Sequence, residues 1–101
     1  MPRAKNRKGH EQNEKFSVVE RTFKSRAKIT RLELGWSMNQ AAAALSRTKK
    51  KLFGDDADPI SRKQLEDLET IRNYGCFISL DHVKMFALTY KVSMAYLIGE
   101  E

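Results

Sequence analysis

Apolar residues recur every three or four positions over most of this chain, which is the spacing of amphipathic helices. The first run follows Phe16 and consists of Val19, Phe23, Ala27 and Thr30, with Ile29 and Leu32 beside it. Arginine, lysine and glutamate fill the other face of this run. The pattern predicts a first helix that starts at Phe16 and ends before Gly35, because glycine suits the C-terminal cap of a helix.

A second helix is predicted directly after this turn. Ser37 is a good N-cap residue for a helix that begins at Met38, and Trp36 can fold back on the core. The apolar face of this helix is formed by Ala41, Leu45, Thr48 and Leu52. That spacing predicts a helix that continues to Gly54, and the small side chain of Ala42 lets a neighbouring helix approach closely.

Three shorter helices are predicted next, each introduced by a serine. Asp55–Pro59 breaks the second helix, and Ser61, Ser79 and Ser93 can cap the three helices that follow. Their apolar positions are Leu65, Leu68 and Ile71 in the third, Val83, Phe86, Ala87 and Tyr90 in the fourth, and Met94, Leu97 and Ile98 in the fifth. A turn-rich spacer at 73–77 separates the third helix from the fourth. Because no useful stretch alternates with the period of a strand, the chain is predicted to be all-α.

The order and helical phase of these segments resemble the helix-turn-helix domains of the phage-repressor and Cro family, also called the xenobiotic-response-element family. The residues that carry the resemblance are Arg31, Gly35-Trp36-Ser37, Ala42, Leu45, the run Ile60 to Glu69, and the ending Tyr96-Leu97-Ile98-Gly99-Glu100. The resemblance implies a compact five-helix bundle of the lambda-repressor-like type. It also implies a transcriptional regulator, a repressor that binds double-stranded DNA as a homodimer on a two-fold symmetric operator.

In that family the third helix lies in the major groove and the second lies across the phosphate backbone. The base-reading candidates carried over are Ser61, Arg62, Lys63, Gln64 and Asp67. The phosphate-contact candidates are Ser37, Asn39, Gln40, Arg47, Lys49, Lys50 and Lys51. Arginine or lysine can bond guanine O6 and N7, and glutamine can bond adenine, so these residue types suit direct readout.

The resemblance also assigns structural roles. Arg31 and Glu69 match a family ion pair that supports the scaffold. The last two helices are the expected dimer surface, because Phe86 and its neighbours supply more apolar surface than a small core absorbs. The dimer candidates are Tyr90, Met94, Tyr96 and Ile98.

Three features depart from the family pattern. Met38 stands where the family usually has a glutamine that touches phosphate. Residues 46–59 form an insertion between the two motif helices, for which an extended basic second helix is the favoured interpretation. The third helix is acidic in its second half, where Glu66 and Asp67 would repel phosphates.

The charge balance agrees with a polyanionic partner. Nineteen lysines and arginines against 13 acidic residues give a net charge of +6, and the calculated pI is 9.6. Residues 1–15 are basic and have no large apolar residue after Met1, which predicts a disordered arm ahead of a DNA-binding domain at 16–101. The single cysteine, Cys76, cannot form an internal disulfide. A cytoplasmic, nucleoid-associated protein without a membrane span or secretory signal is expected.

No pattern of catalysis, metal binding or cofactor binding is found in the sequence. No Asp-His-Ser or Cys-His arrangement is evident around His10 or His82, and the five glycines are scattered rather than gathered in a phosphate loop. The alternative to DNA binding is a protein-interaction module, antitoxin-like or anti-repressor, that keeps the bundle without reading bases. Single-stranded RNA binding is less favoured, because aromatic and basic residues are not interleaved.

Overall fold

The computed structural model describes the backbone of residues 2–70 and 78–101, and the side chains of residues 18–70 and 78–101. Within these ranges the chain has five helices and no strand, so the predicted all-α class is confirmed. The helices are α1 (Pro2–Glu33), α2 (Met38–Phe53), α3 (Arg62–Glu69), α4 (Leu80–Tyr90) and α5 (Met94–Ile98). Ile71 and the spacer with Cys76 lie outside the described residues.

Helix α1 is longer than the sequence pattern predicted. Its backbone is helical from Pro2, whereas the apolar pattern placed the start of the helix at Phe16. Proline is well tolerated at the first helical position. The residues after it include alanine, arginine, lysine, glutamate and glutamine, which all have high helix propensity. The apolar pattern begins only at Phe16, so it does not indicate this earlier start.

The turn between α1 and α2 is a Schellman motif. Gly35 has a φ of +72°; the N–H of Trp36 donates to the carbonyl of Arg31 (3.1 Å), and that of Gly35 donates to Leu32 (3.0 Å). Glycine is favoured here because L side chains rarely adopt a positive φ. Trp36 folds back on the core, as predicted; it is half-buried and packs edge-on against the Tyr90 ring at 5.8 Å between centroids.

Three helix starts use the same reciprocal hydrogen bonds. Ser37, Ser61 and Ser79 are N-caps, as predicted, and each side chain accepts from the backbone N–H three residues later. The side chains of Gln40, Gln64 and His82 accept the N–H of these serines in return. These capping boxes satisfy donors that a helix start leaves unpaired.

The histidine in the third box makes stability depend on pH. Burial and the charge of Lys49 lower the pKa of His82 below its ordinary value, against an opposing effect of Asp81. The unfolded chain therefore binds the proton more readily than the folded protein. The free energy of unfolding should fall as the pH drops from about 6.5 toward the lower pKa of the folded state.

His82→Gln should remove this part of the pH dependence, because glutamine makes the same box in α2 and α3 and does not titrate. The measurement is the urea midpoint at about pH 7.5 and pH 5. His10→Gln is the control for loss of a histidine elsewhere in the chain. The prediction would be contradicted if the urea midpoint of His82→Gln changed between the two pH values by as much as that of the wild-type protein.

The core is formed by all five helices. Its centre is Phe86, which packs edge-on against Phe23 at 5.0 Å and Tyr90 at 5.3 Å between ring centroids. The other members are Ala27, Ala41, Ala42, Leu45, Ile60, Leu65, Leu68, Val83, Met85, Ala87 and Leu97. Val19 is 45% exposed, so its predicted place on the buried face is wrong. The buried face of α1 instead includes Lys24 and Arg31, whose side chains are both buried.

Candidate nucleic-acid interface

The first turn of α3 is exposed to solvent. Ser61, Arg62, Lys63 and Gln64 all have exposed side chains, and the first turn has no acidic residue. Two of the four form the helix cap: Ser61 Oγ accepts from the N–H of Gln64 (3.1 Å), and Gln64 Oε1 accepts from the N–H of Ser61 (2.9 Å). Gln64 keeps its amide N–H groups for an external acceptor, but it cannot also offer its oxygen without opening the cap.

Arg62 has a contact within α3, and Asp67 has one with α1. Arg62 Nε donates to Glu66 Oε1 at 3.2 Å, and both side chains are largely exposed. The terminal nitrogens of this guanidinium have no hydrogen bond to another described residue. Asp67 is half-buried in the second half of the helix, where its carbonyl accepts from Lys24. Arg62 and Lys63 are therefore the most available of the five base-reading candidates.

The far end of α3 is held by a buried lysine of α1. The Lys24 side chain is 2% exposed, and its Nζ donates to the carbonyls of Asp67 and Thr70 at 3.0 Å each. A cation at a helix C-terminus satisfies unpaired carbonyls and interacts favourably with the helix dipole. Sequence reasoning missed Lys24, because a lysine among the charges of α1 gives no signal of burial.

A buried ion pair joins the same end of α3 to α1. Arg31 Nε lies 2.8 Å from Glu69 Oε2, and Nη2 lies 3.1 Å from Oε1, in the bidentate geometry that suits arginine and a carboxylate. Arg31 Nη1 also donates to the Trp36 carbonyl at 2.9 Å. The hydrogen bond to Glu69 raises the pKa of Arg31 despite burial. The pair that the resemblance implied is thus present, and it ties α3 to the turn before α2.

The start of α3 is held to α2 by Ser46. Its Oγ accepts from the N–H of Ile60 at 2.8 Å and donates to the Ala42 carbonyl at 2.8 Å. Ile60 is 6% exposed and precedes the N-cap of α3. Helix α2 itself continues to Phe53, in agreement with the extended second helix favoured for the insertion. Ser46 thus fixes the end of the connection between α2 and α3 next to the exposed first turn of α3. No local pattern in the sequence indicated this role.

Ser46→Ala should lower the free energy of unfolding by about 1 to 3 kcal/mol, because the N–H of Ile60 loses its acceptor in a largely buried position. Urea denaturation followed by circular dichroism measures this loss. A loss below about 0.5 kcal/mol would show that the bond adds nothing to stability.

The basic residues of α2 divide between two faces. Arg47, Lys50 and Lys51 are exposed and share the outer face at helical spacing. Lys49 is half-buried and lies toward α4, where its charge acts on His82. Of the four basic residues of α2 that were predicted to contact phosphates, three therefore face outward and Lys49 faces the bundle.

The polar residues at the start of α2 are exposed, but two of them form its capping box. Ser37 Oγ accepts from the N–H of Gln40 at 3.1 Å, and Gln40 Oε1 accepts from the N–H of Ser37 at 2.8 Å. Asn39 is exposed. As with Gln64, the amide N–H groups of Gln40 remain available to an acceptor such as a phosphate oxygen.

The predicted dimer surface needs correction at Tyr90. Tyr90 is 3% exposed and Phe86 is fully buried, so both belong to the core of one chain. Met94, Tyr96 and Ile98 are half-buried and pack against that core. The prediction rested on the number of apolar residues in α4 and α5. In the structure α1 lies against both helices and covers part of that apolar surface.

Exposed apolar side chains lie elsewhere on the surface. Val18, Ile29 and Leu32 are exposed on the outer face of α1, and Leu80 and Leu88 are exposed on α4. Isolated exposed apolar residues are common in monomeric proteins. These five are nevertheless the more accessible apolar side chains for contact with another chain.

Comparison with protein-family models, curated proteins and solved structures found no match to this chain. The likeness to the repressor and Cro family thus rests on the residues quoted above. No described helix combines the length and the apolar character needed to cross a membrane. Among the residues with described side chains, no group of three or more histidine, cysteine, aspartate or glutamate residues could hold a metal ion.

Proposed function

We propose that this protein is a double-stranded DNA-binding transcriptional regulator, a repressor, that reads bases with the first turn of α3. The observation that carries the proposal is the contrast between the two ends of this helix. Its first turn presents Arg62 and Lys63 to solvent, whereas Glu69 and the last carbonyls are fixed to α1 by buried cations. A rigid support behind an exposed basic turn is what direct readout in a major groove requires.

Phosphate contacts are assigned to the outer face of α2. Arg47, Lys50 and Lys51 can each neutralise a phosphate, and the free N–H groups of Gln40 can donate to one. Such contacts add salt-dependent affinity and fix the register of the protein, but they carry no base information. The net charge of +6 favours association with a polyanion in the same way.

The proposal includes a homodimer on a two-fold symmetric operator. The first turn of one short helix reaches only a few base pairs, so a second copy would double the number of bases read. The mode of repression would be to bind over a promoter and exclude the polymerase.

Selection from random double-stranded DNA, followed by sequencing, tests the proposal. The wild-type protein should enrich a two-fold symmetric motif. Arg62→Ala should lose about 1 to 3 kcal/mol of binding free energy and relax preference at one base pair in each half-site. Arg21→Ala is the matched control, because Arg21 is an exposed arginine on α1. Failure of the folded wild-type protein to enrich any motif would contradict base reading.

A protein-interaction module is the second candidate function. It is favoured by the Arg62–Glu66 pair, which engages the Nε of a base-reading candidate with an acidic neighbour, and by Val18, Ile29 and Leu32 on the outer face of α1. An interface of this kind buries apolar surface, so its affinity should change little with salt. Binding through several phosphates should weaken steeply as salt rises, which separates the two functions in one titration.

A further inference from the structure

A cavity of about 260 Å³ lies between the C-terminal half of α2 and the start of α4. Its apolar lining comes from Ile60 and Met85, which are buried, and from Phe53, which is 46% exposed. Lys49, Asp81 and His82 supply polar groups. Ligand sites in proteins commonly combine an apolar lining with a few convergent polar groups. The volume is below the range typical of drug-sized ligands, so the occupant must be small.

The charges at this cavity are of opposite sign. Lys49, Asp81 and His82 line the same cavity. The charge of Lys49 lowers the pKa of His82, and that of Asp81 raises it. Neither forms an ion pair with any residue that the structure describes. Burial lowers the pKa of His82, which keeps the ring neutral near pH 7, and its Nδ1 already accepts the N–H of Ser79 at 3.1 Å. The cavity thus offers one cation and one anion beside an apolar lining.

We propose that this cavity binds an apolar α-amino acid of about the size of leucine. The carboxylate of the ligand pairs with Lys49, its ammonium pairs with Asp81, and its side chain lies against Phe53, Ile60 and Met85. A ligand with only a negative charge would meet the Asp81 carboxylate, and one with only a positive charge would meet Lys49. A zwitterion satisfies both groups, and the apolar side chain provides the gain from removing surface from water.

The position of Ile60 connects this site with α3. Ile60 precedes the N-cap of α3 and bonds Ser46, so an occupant touches the residue that fixes the exposed turn. An effect of the amino acid on DNA affinity would follow, and that consequence alone rests on the proposed function. The ligand site itself is tested on the free protein, so its failure and that of DNA binding are separate results.

The test is a titration of the full chain with L-leucine, followed by two-dimensional NMR in the absence of DNA. Saturable shifts are expected at Ile60, His82 and Met85, with a Kd on the order of 1 mM because the charged groups are partly exposed to solvent. Leucine amide lacks the carboxylate, N-acetylleucine lacks the ammonium, and serine lacks the apolar side chain. Each should bind at least about tenfold more weakly than leucine.

Three variants locate the site. Lys49→Gln and Asp81→Asn should each weaken leucine binding about tenfold, and Lys51→Gln, with the same charge change on the exposed face of α2, should leave it unchanged. The NMR spectrum reports in the same experiment that each variant is folded. Absence of saturable shifts up to about 20 mM leucine, or equal affinity in all three variants, would overturn the proposal. Equal binding of N-acetylleucine would overturn the assignment to an amino acid.

Discussion

Replacing Glu69 by alanine should lower the free energy of unfolding by about 3 to 5 kcal/mol, because it leaves the Arg31 guanidinium buried and without its carboxylate. The side chains of the two residues are only 8% and 3% exposed, so water cannot readily replace the lost partner. The remaining bond from Arg31 to the Trp36 carbonyl does not compensate a full charge. Urea denaturation followed by circular dichroism measures the loss. For a chain of this size it is a large part of the total stability.

The chain contains a matched control for this experiment. Glu66 also pairs with an arginine, Arg62, but the two side chains are 47% and 62% exposed and lie one helical turn apart. Glu66→Ala should cost no more than about 0.5 kcal/mol, because solvent screens an exposed pair. Similar losses in the two variants would show that burial does not set the strength of the Arg31–Glu69 pair.

Replacing Arg47, Lys50 and Lys51 together by glutamine should have the largest effect on DNA binding. Loss of three phosphate contacts should reduce the slope of log K against log salt by about 2.7, since each contact contributes about 0.9. At about 0.1 M salt the affinity should fall on the order of 10²- to 10³-fold. Fluorescence anisotropy over a series of salt concentrations measures both quantities. Lys49 is left intact, because it lies toward α4.

A second triple variant controls for the change in net charge. Arg21, Lys28 and Lys84 are also exposed, but they lie on α1 and α4. Their replacement by glutamine removes the same three charges and should change the salt slope by less than about 1. If both triple variants lose affinity equally, the outer face of α2 has no special role and only net charge contributes.

The starts of α2 to α5 and the ends of α1 and α2 could be predicted from the sequence because local chemistry decides them. A serine at each start and a glycine after α1 and α2 satisfy backbone groups of the same turn, so no knowledge of tertiary contacts is needed. The start of α1 could not be placed in this way. Residues 2–15 combine high helix propensity with a lack of apolar residues, and these two features give opposite indications.

The candidate site could be predicted only in part, because its support is tertiary. The Arg31–Glu69 pair followed from the family resemblance. The roles of Lys24 and Ser46 depend on partners 43 and 14 residues away, which no local pattern reveals. Tyr90 was misplaced for the same reason, since its burial depends on contacts with α1 and Trp36.

The way α3 is held separates the stability of the fold from the chemistry of its exposed turn. Leu65, Leu68 and Glu69 face the protein, whereas Arg62 and Lys63 contribute nothing to the core. The residues at these two positions can therefore change in evolution without a large loss in the free energy of unfolding. Under the proposed function, base preference can diversify through these two positions, whereas Ser61 and Gln64 are constrained because they form the helix cap.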